Sequence, residues 1–293
     1  MAKKPIDKDC IVGIDIGTSK IATLVAESDP NAAMVNVIGI GSCPAHGLKK
    51  GVVVNIEQTV KSIQQSVAAA EAMIGQEISS VYAGIAGSNI RGFNSHGMLA
   101  IKAQEVTQED VDLVLEAAQA IAIPADQKII HVLPQDFSID NQDAIRDPLG
   151  MNGVRLEARV HIVTGMLGSM NNVVNCLHKC GLSASDVVLE HFASSQAILT
   201  EDEQELGVCM VDIGGGTTDI AIFTRGSIRH TTIIPIAGDQ VTNDLAIALH
   251  IATGQAERIK LEYGSDLWTE ADDSMSANDV DFNNTTIPPE LIA

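Results

Sequence analysis

Aromatic side chains are nearly missing from this 293-residue chain: five Phe, two Tyr and one Trp, 3% in all. Ring stacking cannot build its core, so Val, Ile, Leu, Ala and Met must fill the interior. Basic residues are scarce as well. Eighteen Lys and Arg stand against 38 Asp and Glu, a formal net charge of −20. Nucleic acid is thereby excluded as an expected partner, because phosphates need a basic surface to neutralise them. No apolar run approaches the ~18 residues of a membrane span. The five cysteines, Cys10, Cys43, Cys176, Cys180 and Cys209, are odd in number, scattered and without a signal peptide. That set points to a reducing cytoplasm and not to a disulfide framework. Cys176-Leu-His178-Lys-Cys180 has metal-ligand residue types, but on a helix position 178 faces away from 176 and 180. Buried thiols are the better reading.

What the chain does have is apolar mass and glycine. Hydrophobic residues make up 45% of it, which places it among globular proteins, and the length suits two domains. Two glycine-rich turns, each led by an aspartate, carry the chemistry. The first is Gly13-Ile14-Asp15-Ile16-Gly17-Thr18-Ser19-Lys20 and the second is Asp212-Ile213-Gly214-Gly215-Gly216-Thr217-Thr218-Asp219. Each lies between two short apolar runs and reads as strand, tight turn, strand. Glycine reaches positive φ and brings N–H groups close to an anion. Thr18, Ser19, Thr217 and Thr218 add hydroxyls, and Lys20 adds a charge. Asp15 and Asp212 suit a hydrated magnesium ion, which takes one or two carboxylates together with phosphate and water. A single Asp-x-Gly-Thr is an ordinary hairpin; two such turns suggest jaws on one nucleoside triphosphate with its Mg2+.

Around these turns the pattern is mixed. Residues 1–9 are polar and expected to be loose. Strands are expected near 10–16, 20–27 and 34–41, then a loop from Pro44 to Gly51. A helix follows Asn55, with Ile56, Val60, Ile63, Val67, Ala70 and Ile74 on one face and Gly75 at its end. A strand over 80–85 completes a mixed sheet with helices on it. From Gly87 to about Val160 short alternating segments surround one helix that starts near Thr107 and buries Val111, Val114, Leu115 and Ala118. This stretch reads as an α+β insertion. Ser169 is expected to cap a helix that Gly181 stops. A strand over 186–190 and a linking helix over 193–199 lead to the second turn. Strands 218–224 and 228–236 then flank a Gly226-Ser227 turn. Helices follow over 241–251, opened by Gly238-Asp239, and over 255–261. Beyond Tyr263 the chain is acidic and loop-like, with Asp272, Asp273, Asp279 and Asp281.

At these residues the chain resembles the actin-like ATPase superfamily, whose members close two related domains over ATP. Within it the sequence is similar to the FtsA family of bacterial cell-division proteins. That closer likeness rests on His46-Gly-Leu-Lys-Lys-Gly-Val-Val-Val54, Tyr82-Ala-Gly-Ile-Ala-Gly87, His131-Val-Leu-Pro-Gln135 and Ile145-Arg-Asp-Pro-Leu-Gly-Met151, running on through Val154-Arg-Leu-Glu-Ala-Arg-Val-His161. It spans about residues 10 to 263. The resemblance implies an actin-like, ribonuclease H-like α/β fold. Residues 1–86 and 161–192 would form the first domain, 87–160 an inserted interaction subdomain, and 193–293 a second domain incomplete at its C-terminal end.

The same resemblance implies the site. Asp15, Gly17, Thr18, Ser19 and Lys20 would form one phosphate turn and Gly214, Gly215, Gly216 and Thr217 the other, with Asp212 near the metal and the attacking water. Gly238 and Asp239 match a loop that approaches phosphates and ribose. Glu257 and Lys260 match a Glu-x-x-Lys helix at the adenosine; without the family they would read as an exposed i, i+3 couple. Glu190 sits where relatives place a residue that orients the hydrolytic water, although they follow it with proline and this chain has His191, which reads as packing. The implied function is ATP-dependent assembly, with at most weak ATPase activity. The family self-associates into filaments, tethers the tubulin-like FtsZ to the inner membrane at the septum, and recruits later division proteins through the insertion. Its C-terminal membrane helix and second adenine loop have no counterpart here, so the shortened chain is expected to be soluble. A small-molecule kinase and a pilus-assembly scaffold on the same fold remain alternatives. Acceptor-dependent turnover would mark the kinase, and failure to pull down FtsZ would favour the pilus protein.

Overall fold

Alternation in the first long strand, carried with one bulge into the next, decides which face of the sheet is core. In this computed structural model the described residues are 4–6, 10–28 and 35–264. The elements run β1 (Lys4–Pro5), β2 (Cys10–Ile16), β3 (Lys20–Ser28), β4 (Val35–Pro44), β5 (Leu48–Lys49), β6 (Val52–Val53), α1 (Ile56–Ile74), β7 (Gln76–Glu77) and β8 (Ser80–Ile85). They continue with β9 (Arg91–Ala100), α2 (Gln108–Gln119), β10 (Gln127–Ile139), β11 (Gln142–Ile145), β12 (Arg155–Met166), α3 (Leu167–Lys179), β13 (Ser183–Leu189), α4 (Glu190–Ile198) and α5 (Glu201–Leu206). Last come β14 (Val208–Ile213), β15 (Thr218–Thr224), β16 (Ser227–Ile234), α6 (Gly238–Leu249) and α7 (Thr253–Tyr263).

The main sheet has the order β13-β8-β2-β3-β4, with β2–β3–β4 antiparallel and β8 and β13 parallel to β2 and to each other. Val12, Ile14 and Ile16, Ile21 and Val25, and Val81, Ala83 and Ile85 point to one side. There they form a core with Ile63, Val67 and Ala70 of α1 and Val173, Cys176 and Leu177 of α3. The alternate residues, including Gly13, Asp15, Ala22, Leu24, Tyr82 and Gly84, line an open cleft of about 430 Å³ on the other side.

Residues 91–166 build a second sheet, β11-β10-β12-β9, covered by α2. Thr107 and Asp110 cap α2 reciprocally, and Val111, Val114 and Ala118 are buried, with Leu115 partly so. The meander β14-β15-β16 forms a third sheet. Compact units divide the chain between Pro235 and Ile236. In the second unit, α6 and α7 bury Leu245, Leu249, Ala256 and Ile259.

Several local expectations change. The stretch 1–9 contains a parallel pairing, Lys4–Pro5 with Gln76–Glu77. The 44–51 loop holds β5, which turns back to β6 through Lys50 and Gly51, both at positive φ. Helix α3 begins at Leu167 without a side-chain cap, and Ser169 instead accepts a hydrogen bond from Asn89 Nδ2 at 3.1 Å. The strand placed at 186–190 is Ser183–Leu189, so Glu190 opens α4. The β15–β16 turn is Arg225-Gly226, both left-handed, a residue earlier than expected. Helix α5 was not anticipated. The acidic stretch after Tyr263, from residue 265 on, lies outside the described residues.

Candidate functional site

The hairpin registers deliver the acids. Ile16 pairs with Ile21, leaving Gly17 to Lys20 as the first turn with Asp15 just before it on the cleft side. Ile213 pairs with Thr218 and Asp212 with Asp219, so two carboxylates face each other across the base of the second turn. Gly214 N–H closes that turn onto Thr217 C=O at 2.9 Å. The turns meet: a Cβ on Gly216 would lie 2.7 Å from Thr18 Oγ1 and 3.0 Å from Lys50 Cα. Thr18 Oγ1 itself accepts the Gly51 N–H at 2.9 Å. Glycine's reason here therefore differs from the expected one. Gly17, Gly214 and Gly216 do not have positive φ; a Cβ on Gly216 would clash with Thr18, whereas one on Gly17 or Gly214 would meet a backbone carbonyl oxygen tightly, at 3.0 and 3.2 Å. Ser19 and Lys20 are exposed, and Thr217 is buried.

Glu190 enters the same cleft from the start of α4. Its side chain lies over Gly84, where an added Cβ would stand 3.0 Å from Glu190 Cγ. Asp15, Glu190 and Asp212 all line the cleft, and Asp219 lies within electrostatic reach of Glu190. Burial, then the charges of Asp15, Asp219 and Asp212, push the Glu190 carboxyl well above its usual range. Burial also raises Asp15, against the pull of its hydrogen bond with Glu190 and the Lys20 charge. Asp219 is pushed up to about 7 by burial and by Asp212. Asp15 Oδ1, Glu190 Oε1 and Asp219 Oδ1 are buried without a hydrogen-bond partner.

In this constellation four acids outnumber the one nearby ammonium of Lys20 that acts on Asp15. Among the described residues no three or more His, Cys, Asp or Glu form a protein-only metal cage. A hydrated Mg2+ carried in with phosphates needs no such cage, and orphaned carboxyl oxygens beside two donor-rich turns fit it. Asp219 was not singled out from the sequence. Its signal was its symmetry with Asp212 about the glycine turn.

In the second unit, Lys260 Nζ bonds Glu257 Oε2 at 2.8 Å and donates to Gly238 C=O at 3.1 Å, and Thr242 donates to Glu257. Burial acts to raise the Glu257 carboxyl, but the Lys260 and Thr242 hydrogen bonds and the Lys260 charge hold it below its usual value. The couple thus joins α7 to the start of α6 and is more than an exposed pair. Helix α6 begins at Gly238 with no side-chain cap, and Asp239 is exposed in its first turn.

This mixed sheet, its paired phosphate-type hairpins and its inserted α+β subdomain define an actin-like α/β fold. Among solved structures, the PilM–PilN type IV pilus biogenesis complex matches with a TM-score of 0.64 at 16% identity, over 87% of this chain and 70% of that one. That likeness is one of fold. A family model described as the SHS2 domain inserted in FTSA matches residues 87–164, and one described as cell division protein FtsA matches 209–289. The FtsA of Pseudomonas aeruginosa is 58% identical over 253 residues, 86% of this chain and 60% of that relative. The FtsA of Escherichia coli K12 is 45% identical over 261 residues, 89% of this chain and 62% of the relative. The chain belongs to the FtsA family of cell-division proteins, and it spans about 60% of the length of these relatives. Among the described residues no helix is long and apolar enough to cross a membrane.

Proposed function

We infer that this chain is the nucleotide-binding part of an actin-like cell-division protein, and that Mg-ATP sits at the hairpin turns led by Asp15 and Asp212. The observation that carries this reading is the group of partnerless buried oxygens on Asp15, Glu190 and Asp219 beside two abutting hydroxyl-bearing turns. Gly17, Thr18, Ser19 and Lys20, with Gly214, Gly215, Gly216 and Thr217, hold the phosphates through backbone N–H groups, hydroxyls and one ammonium. Asp15 and Asp212 hold the hydrated magnesium. When bound, the Mg-nucleotide would supply the transferable phosphoryl group and, through its cation, further positive charge. Glu190, whose carboxyl is held above its usual range by burial and by its acidic neighbours, would orient the attacking water, and a cation's charge beside it would favour its ionised form. In the second unit, Gly238, Asp239, Glu257 and Lys260 match the family's nucleoside residues by sequence resemblance alone.

Nucleotide acts here chiefly as a conformational ligand, through its differential affinity for an assembling state. In the longer relatives' setting the protein self-associates, tethers FtsZ filaments to the cytoplasmic face of the inner membrane at the septum, and uses residues 87–160 to recruit later division proteins. Residues 1–86 with 161–192 form the first domain of this arrangement and 193–293 belong to the second.

Titration calorimetry tests the site. Mg-ATP should bind the wild-type chain, and Asp212→Ala should weaken binding by about 10-fold or more. The melting temperature should not fall, since Asp212 is exposed and its charge opposes its buried acidic neighbours. No binding by the wild-type chain, or equal binding by the variant, overturns the assignment.

A further inference from the structure

We propose that His131, on a strand of the inserted subdomain, is the positioning residue for Glu190. The proposal rests on the reading that Glu190 acts in the nucleotide site. His131 Nε2 accepts the Leu189 N–H at 3.0 Å. Its ring lies against Phe192, with centroids 5.6 Å apart and planes at 48°. The two contacts bracket Glu190, one residue before it and two after. Leu189 is the last residue of β13 and the N-cap of α4, and no side chain caps that helix. His131 therefore holds the strand-to-helix corner on which Glu190 is mounted, while Gly84 leaves room for the Glu190 side chain from beneath.

The strand that carries His131 is shaped for this. Against β12 the register of β10 slips between Ile129 and His131 and again between Pro134 and Asp136. A bulge residue reverses the alternation of the side chains beyond it. Ile130 thus turns His131 out of the regular alternation, and Gln135 closes the altered stretch. Accepting at Nε2 requires a neutral ring with its proton on Nδ1. Burial supports that state by lowering the ring's pKa, against the opposing charge of Asp186. His191, next to Glu190, is fully buried, with no hydrogen-bond partner at either ring nitrogen. Displacement of β10 within the insertion is transmitted to the Glu190 carboxyl through one hydrogen bond and one ring contact.

Two polar substitutions separate positioning from bulk. In His131→Gln the side-chain oxygen stands near the Nε2 position and can still accept the Leu189 N–H. In His131→Asn the oxygen falls one bond short. Backbone amide exchange, melting temperature, Mg-ATP affinity and Mg-ATP turnover are measured on the same chain. The Asn variant should exchange the Leu189 amide about 10-fold faster and turn over about 10-fold more slowly, with Mg-ATP affinity within about twofold. The Gln variant should restore both. Wild-type Leu189 protection in the Asn variant overturns the proposal. So does a folded Gln variant that loses protection as the Asn variant does, which also decides the matter should the Asn variant unfold. Glu190→Gln separates the two readings. If it leaves turnover unchanged, the role of Glu190 itself fails; if it abolishes turnover while His131→Asn does not slow it, only the positioning role fails.

Discussion

His161 is fully buried where the insertion meets β16. Its Nδ1 stands 2.7 Å from Asn94 Oδ1, which can only accept, so Nδ1 carries the proton. Its Nε2 then accepts from Thr231 Oγ1 at 2.9 Å. Burial, then the neighbouring His230, pushes its pKa down to about 4. Between pH 6.5 and 4 the unfolded chain therefore binds a proton at this residue that the folded chain does not, and stability falls as pH falls through that window. His161→Gln removes this term and should cost about 1–3 kcal/mol at pH 7 through the disrupted hydrogen bonds. The deficit against wild type should narrow by up to about 2 kcal/mol at pH 5. Asp219 and Glu190, whose raised values act in the opposite sense, are common to both proteins and cancel. Urea melts of the pair at the two pH values check this; a deficit that does not change with pH removes His161 from the pH response. At the residue scale, Asp15 and Asp212 were legible because each precedes a glycine turn. Glu190 came only through family likeness. Asp219 was in view within the motif but needed the cross-strand register to join the candidate site.

Helix α1 shows what periodicity reveals and what it hides. Its apolar stripe is visible in the sequence, and Asn55 and Gly75 cap it as expected. Yet Thr59, Ser62 and Ser66 are also buried, on the face toward β4. They are small because the helix backbone lies almost on the sheet. A Cβ on Gly41 would run into Ser66 C=O and reach 2.6 Å from Ala70 N. Ser66 Oγ bonds Gly41 C=O at 3.0 Å and Thr23 Oγ1 at 2.7 Å, so the polar atoms are satisfied inside the interface. Hydropathy alone cannot show this, since it scores these residues as solvent-facing. Gly41→Ala should force α1 outward at a cost of about 1–3 kcal/mol. The apparent melting temperature should drop by about 2–12 °C. A melt within a degree of wild type would mean that helix and sheet adapt without strain. Helix α5 was missed for the opposite reason. It buries no side chain, so no apolar stripe marks it, and its signals are confined to its ends: the Thr200–Glu203 capping box, an acidic first turn and Gly207 at the C-cap.

On the scale of the first compact unit, no sequence pattern announces how residues 208–234 join the insertion, because the contacts span 70 residues or more of chain. Gln135 Nε2 donates to Ile228 C=O at 2.8 Å and Ser227 Oγ to Gln135 C=O at 2.7 Å. Asn94 Nδ2 donates to Arg229 C=O at 3.1 Å. Arg229 Nη1 reaches Asp136 Oδ2 at 2.8 Å, and Arg159 approaches the other oxygen at 3.4 Å. His161–Thr231 completes the seam. The hairpin that carries Asp219 is thus held by the insertion, and the same insertion holds Glu190 through His131. Gly92 is the weak point: a Cβ there would strike Thr231 Oγ1 and lie 2.6 Å from His161 Nε2. Gly92→Ala should separate those two partners and cost about 1–3 kcal/mol. The loss should be local, since backbone opening follows contiguous units. Amide exchange over 227–234 should quicken about 10-fold, while 10–16 and 56–74 keep their wild-type protection. Equal acceleration in all three segments would show instead that the hairpin opens only when the whole unit unfolds, and the insertion would then have no separate hold on the acidic site.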